Sequence, residues 1–203
     1  MTDLNTALFL LVNRFARVTG WLHGAAVAYA SYGVALFAVL LLAGWWYARS
    51  RTESTVMGAA LWAPVGVLVA LGVNQLAVAA ANEARPYAVL DHPLLLIAAT
   101  TDPAFPSDHA VMAGAAAAGL WLVSRRLGLV ATAAAVLMAA ARVYVGAHWP
   151  GDVLVGLVLG AAVALTGYRL LRPLLAGSVT RLGRTRLRPL LTSVPARPEP
   201  AER

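Results

Sequence analysis

From Val56 to Ala81 the chain runs without a single charged side chain, and nearly every residue in the stretch is apolar. A helix of that length crosses a hydrocarbon core of ~30 Å with some tilt. In lipid the backbone polar groups must be satisfied within the protein, which leaves helices or closed barrels as spanning structures. Similar apolar runs cover about Trp21 to Tyr47, His109 to Val123, Leu127 to Tyr144 and Val153 to Leu171. The 203 residues are 60% hydrophobic and 12% charged, and the mean hydropathy is +0.72. Those values lie outside the soluble globular range. The sequence therefore predicts an integral membrane protein: an all-α, polytopic bundle of five to six membrane helices, with one membrane-embedded domain over residues 1–171.

The amino end differs from the spans. Leu4, Ala7, Leu8, Leu11, Phe15 and Val18 recur at spacings of three and four, with Arg14 and Arg17 between them. This pattern predicts an interfacial amphipathic helix. No cleavable signal peptide is evident, because the first apolar run is short. Trp45, Trp46 and Tyr47 close the first span as an aromatic anchor. His23 and His92 read as interfacial residues. Between Asn82 and Asp108 lies the longest polar connection, where Leu94 to Ala99 is too short to span and predicts a small interfacial helix. Beyond Arg172 the chain is rich in Arg and Pro and lacks apolar periodicity, so residues 172–203 are expected as a basic, partly disordered tail.

Net charge is +7, and all 16 basic residues are arginine. The charges do not alternate with exposed aromatics on a soluble face, so nucleic acid is not the expected partner. Topology explains them instead. Arg49, Arg51, Arg125, Arg126 and the arginines from Arg169 to Arg203 fall on one side of the membrane, against Arg14, Arg17, Arg85 and Arg142 on the other. The positive-inside rule makes the crowded side, with the carboxyl-terminal tail, cytoplasmic. The tail arginines also suit contact with anionic membrane lipids. There is no cysteine, which excludes disulfides and thiolate metal sites. The residues set no oligomeric state.

Two polar connections on the sparsely charged side collect the chemistry. The first contains Glu83, Arg85-Pro86 and Pro106-Ser107-Asp108-His109; the second, between two apolar runs, contains Arg142, His148 and Asp152. Placing such groups near hydrocarbon costs several kcal/mol unless they are paired or used. Arginine suits bidentate phosphate binding. A helix start after Pro106-Ser107 would add backbone N–H groups for phosphate oxygens. No spacing matches a metal-ligand cluster, and neither a metal nor another cofactor is expected. The set points to metal-free phosphoryl transfer. Bland readings stand beside it: Arg85 and Arg142 as snorkelling side chains, Asp152 as a helix cap.

In these residues the chain resembles the type 2 phosphatidic acid phosphatase superfamily of membrane lipid phosphatases. The family's three signatures are Arg-Pro preceded by a lysine, Pro-Ser-x-His, and Ser-Arg-x5-His-x3-Asp, and they recur here in order over roughly Trp21 to Leu171. The resemblance implies His148 as nucleophile, forming a phosphohistidine. It implies Asp152 as acceptor for the protonated ring nitrogen of His148, and His109 as acid and then base. Arg85, Arg142 and Ser107 would hold the phosphoryl oxygens. Three positions depart from the pattern: Val78 stands in place of the lysine, Ala141 in place of the serine, and Asp108 where glycine is common. The Phe-Pro-Ser-Asp-His and Glu-x-Arg-Pro forms resemble undecaprenyl-diphosphate phosphatases of the bacitracin-resistance type. A polyprenyl diphosphate, undecaprenyl or decaprenyl, is the implied substrate at the outer face of a bacterial plasma membrane. Asp108 remains open between a helix-start role and a catalytic one, and Glu83 has no assigned task. Phosphatidic acid or phosphatidylglycerophosphate is the rival substrate class, and a non-catalytic lipid-binding or transport protein is the rival from outside enzymes. Vanadate-dependent oxidation chemistry, also related, is disfavoured by the membrane-spanning composition.

Overall fold

The computed structural model describes residues 3–193. The chain forms nine α-helices there: α1 (Asp3–Val18), α2 (His23–Tyr32), α3 (Val34–Arg49), α4 (Ser54–Ala81), α5 (Pro86–Val89), α6 (Asp108–Val123), α7 (Arg125–Tyr144), α8 (Pro150–Leu182) and α9 (Arg188–Leu191). Among the described residues there is no strand, and the all-α membrane bundle stands. Three segments are long and apolar enough to cross a membrane: one containing α4, then α7 and α8. A fourth crossing is formed if α2 and α3, bent by 55° about Gly33, count as one span, and the apolar α6 is shorter than these.

The bundle is built around α6. Every residue from Ala110 to Leu120 is buried, and the sequence there is almost entirely Ala and Gly, so neighbouring backbones come close. A Cβ on Gly160 of α8 would lie 2.0 Å from the Val111 carbonyl oxygen, and one on Gly114 would lie 2.3 Å from that of Leu157. Helices α4 and α7 close the other sides. Near the carboxyl end of α6, where Ala63 lies against Gly119, Trp62 Nε1 of α4 donates to the Ala164 carbonyl of α8 at 2.8 Å.

Helix α1 leaves its apolar stripe (Leu4, Leu8, Leu11, Phe15, Val18) exposed, as an interfacial helix presents it to lipid. A second face, Phe9, Asn13 and Ala16, is buried and packs on α7 and α8. Two expectations are corrected. Leu94 to Ala99 is not helical. Its backbone bonds go elsewhere: Leu94 exchanges two with the Asn13 side chain at 2.8 and 3.0 Å, and Leu96 N–H donates to Val145 at 3.0 Å. The fifth span does not stop near Leu171 but runs to Leu182 through Pro173. Val179 and Leu191 are buried with Met57 and Trp62, so apolar packing orders the segment that composition marked as tail. Arg197 and Arg203 lie outside the described residues.

Candidate active site

At one end of the bundle the carboxyl ends of α4 and α7 meet the amino ends of α6 and α8. Helix α4 stops at Asn82, which adopts the left-handed conformation (φ 43°) that asparagine tolerates. The connection after it folds back across the end of the bundle, with Ala104 N–H donating to Glu83 O at 2.7 Å. Between α7 and α8 the turn passes through Gly146 (φ +82°), where a Cβ would lie 2.3 Å from Leu94 O. Only glycine fits that approach, and the turn delivers His148 inward. Helix α8 then opens with Pro150 at its first position and Asp152 in its first turn.

His148 is almost completely buried. Its Nδ1 faces two acceptors, the Ala104 carbonyl at 2.8 Å and Asp152 Oδ2 at 3.4 Å. Two acceptors on one nitrogen place the proton there, and the tautomer is assigned from these partners. Nε2 is then the lone-pair nitrogen, and Arg85 Nη1 lies 3.3 Å from it. Burial, then the charges of Arg142 and Arg85, push the His148 pKa down to about 3. The ring is therefore neutral, as a nucleophile must be.

The anchoring of this histidine differs from the resemblance in emphasis. The backbone oxygen of Ala104 is nearer to Nδ1 than the carboxylate is. Asp152 Oδ2 also accepts the Trp149 N–H at 2.9 Å, so it caps α8 while facing the ring. The one carboxylate oxygen thus serves both contacts. Trp149 itself is fixed by Phe9, 5.2 Å between ring centroids, and by its Nε1 donating to Ala84 O at 3.0 Å.

Nε2 looks into a cleft of about 450 Å³ walled by Arg85, Arg142, His109, Asp108, Gln75 and Val78, among others. Arg85 is braced by Asp102 O at 2.8 Å and Ala147 O at 3.1 Å. Arg142 is buried with one long bond, to Ala30 O at 3.4 Å, and its Nε has no partner. Five buried side-chain polar atoms lack a hydrogen bond among the described residues, and four cluster here, on Asn74, Ser107, Arg142 and Asp152. Each such group costs about 1–3 kcal/mol, a concentration expected of a site that a polar ligand completes.

The structure thus brings Arg85, His109, Arg142, His148 and Asp108 to one cleft. Ser107 is fully buried and is not among the residues that wall it; Glu83 does not wall it either, although its backbone oxygen holds Ala104 and its carboxyl lies close enough to Asp152 for their charges to interact. Asp108 Oδ1 accepts from Asn74 Nδ2 at 2.7 Å and Gln75 Nε2 at 3.1 Å, which explains a carboxylate beside two arginines. Sequence reasoning missed Asn74 and Gln75. Their signal was visible as two adjacent amides inside an otherwise apolar span. The Ala104 carbonyl, a backbone atom, has no sequence signature. Among the described residues no three His, Asp or Glu side chains group as a metal site.

A helical membrane bundle with a neutral histidine and two arginines in one cleft is a scaffold for phosphoryl transfer. A model of the PAP2 superfamily matches residues 59–175, and the chain belongs to that family of membrane phosphatases. Undecaprenyl-diphosphatase BcrC of Bacillus subtilis is 28% identical over 173 residues, spanning 84% of this chain and 87% of the relative. A decaprenylphosphoryl-5-phosphoribose phosphatase of Mycobacterium tuberculosis is 36% identical over 118 residues, 57% of this chain and 59% of the relative. The fold is similar to that of a transmembrane PAP2 type phosphatidylglycerolphosphate phosphatase from Bacillus subtilis, with a TM-score of 0.60 and 19% identity over 91% of this chain and 90% of that one. LpxE of Aquifex aeolicus superposes with a TM-score of 0.54 at 21% identity, over 83% and 96% of the two chains.

Proposed function

We propose that the protein removes the terminal phosphate of a polyprenyl diphosphate, leaving the polyprenyl monophosphate. The observation that carries this is the held His148 ring, with Nδ1 tied back and Nε2 turned into a cleft between two arginines. In the first step Nε2 attacks the terminal phosphorus, the bond from phosphorus to the bridging oxygen breaks, and His109, protonated once the anionic substrate is bound beside it, gives that oxygen its proton. In the second, water loses a proton to His109 and attacks the phosphohistidine; the P–N bond breaks, releasing phosphate and neutral His148. Arg142 and Arg85 neutralise the phosphoryl oxygens as charge moves between them. Arg85 leaves Nε2 for those oxygens when phosphate enters.

The placement of the arginines supports a site on the extracytoplasmic face, with the carboxyl-terminal tail in the cytoplasm. Likeness to undecaprenyl-diphosphatases supports the diphosphate. A second reading, a phosphate monoester on a lipid-linked sugar or glycerol, is favoured by Val78: the cleft has no third cation, and Asp102 and Asp108 join its wall. Phosphate release by the purified protein from polyprenyl diphosphate, polyprenyl phosphate carrying a phosphorylated sugar, and phosphatidylglycerophosphate separates the two. Turnover of the monoesters alone sinks the diphosphate assignment.

A further inference from the structure

Asn74 and Gln75 are the only side-chain amides between Val56 and Ala81, and they lie near the site end of α4. Asn74 is fully buried. Its Nδ2 donates twice across the junction that starts α6, to Pro106 O at 3.2 Å and Asp108 Oδ1 at 2.7 Å. Gln75 Nε2 reaches the same Asp108 oxygen at 3.1 Å. The other end of the Asn74 amide, Oδ1, is buried without a partner. An apolar side chain would avoid that desolvation, so the residue is accounted for by what its donor holds.

What it holds is a helix start that does not cap itself. Ser107 occupies the N-cap of α6, yet its hydroxyl makes no capping bond and is left buried without a partner. The first turn is gripped from outside instead. The two amides of α4 hold it on one side, and on the other Ser107 N–H donates to Asp152 O at 3.2 Å. His109 follows directly on the gripped Asp108. One turn further along α4, Val78 faces the cleft, so this helix serves the site by geometry and not by charge.

We propose that Asn74 is a positioning residue: with Gln75 it clamps Pro106 and Asp108, fixes the first turn of α6, presents His109 to the cleft and leaves the Ser107 hydroxyl free. The clamp is a property of the fold; only the consequence for His109 rests on the phosphatase reading.

Asn74→Leu removes the donor at similar size. Turnover should fall about 10- to 100-fold while KM changes less than about 3-fold, because a misplaced acid costs the chemical step and not binding. Amide exchange across residues 106–111 should quicken about 10-fold or more while α7 and α8 stay protected. Gln75→Met, at an exposed position that folding tolerates, should give the same pattern at about 2- to 5-fold. Asn74→Leu combined with Asp108→Ala should lose clearly less than the sum of the two single losses, since the Asn74–Asp108 tie is cut in both. Wild-type kcat and exchange in Asn74→Leu, or losses that add in the double variant, overturn the clamp. If the wild type releases phosphate from no substrate, the phosphatase reading fails, and exchange at residues 106–111 then decides the clamp alone.

Discussion

Two arginines at opposite ends of the bundle, Arg49 and Arg142, are held in different ways. At the far end, Arg49 donates through Nη2 to Pro189 O at 2.6 Å and lies over Trp45 and Trp46, 5.2 and 5.0 Å from their ring centroids. Trp45 Nε1 donates to Leu190 O at 3.1 Å, and Ser193 N–H to Arg49 O at 2.8 Å. The cation and its aromatic neighbours thus hold α9 against α3. At the site end, Arg142 is buried more deeply and bonded less well. Arg49 is stacked and bonded, with only its Nε left without a partner, whereas Arg142 is buried and keeps a single long bond. Removing the first should cost stability, and removing the second should cost turnover.

The largest effect expected is at His148. His148→Ala should reduce phosphate release by at least about 1,000-fold while the protein still folds, because the proposed reaction passes through a bond from phosphorus to His148 Nε2. A phosphate-release assay on protein of unchanged elution profile reads this. Residual activity within about 10-fold of wild type would remove His148 from that role.

Arg142→Lys comes next. Lysine keeps the charge but loses the planar fork, and at a phosphoryl-binding position that should lower kcat/KM about 100-fold. Unfolding temperature should change little, since the wild-type side chain has only one long bond to lose. A large stability loss with normal turnover would place Arg142 with Arg49 and break the comparison.

The same contrast marks what sequence could show. The spans were legible because charge is absent from them, and the site because Arg85, His109, Arg142, His148 and Asp152 carry a recognisable order. Residues 172–193 were not, because Pro and Arg hid the few apolar contacts, Val179 and Leu191 among them, that order the segment. Leu94 to Ala99 looked helical only while the Asn13 side chain that takes its backbone bonds was out of view. Asn13 lies on the less conspicuous face of α1, opposite the stripe that drew attention.

Acid should act on the buried His148. The folded ring titrates at about 3, whereas an imidazole in the unfolded chain titrates near ~6.5. The unfolded state therefore binds the extra proton first. Stability from keeping His148 neutral is present in full above about pH 7 and is lost as pH falls towards 3. Thermal unfolding in detergent should show the midpoint falling between pH 7 and pH 4, and His148→Gln should flatten part of that fall. An equal slope in the variant would mean that other groups account for it.

The smallest effect belongs to the far end. Arg49→Ala should cost about 1 kcal/mol, the scale of an exposed cation–π contact with one hydrogen bond. Thermal unfolding reads that loss, and proteolysis should find residues 183–193 first, because α9 loses its hold on α3 while Ser193 keeps its backbone bond. Phosphate release should stay within about 2-fold of wild type, since the helices between the two ends pack through small residues that Arg49 does not touch. A fall of 10-fold or more would show that α9 and the site are coupled along α3 and α4, and the division between a holding end and a reacting end would have to be given up.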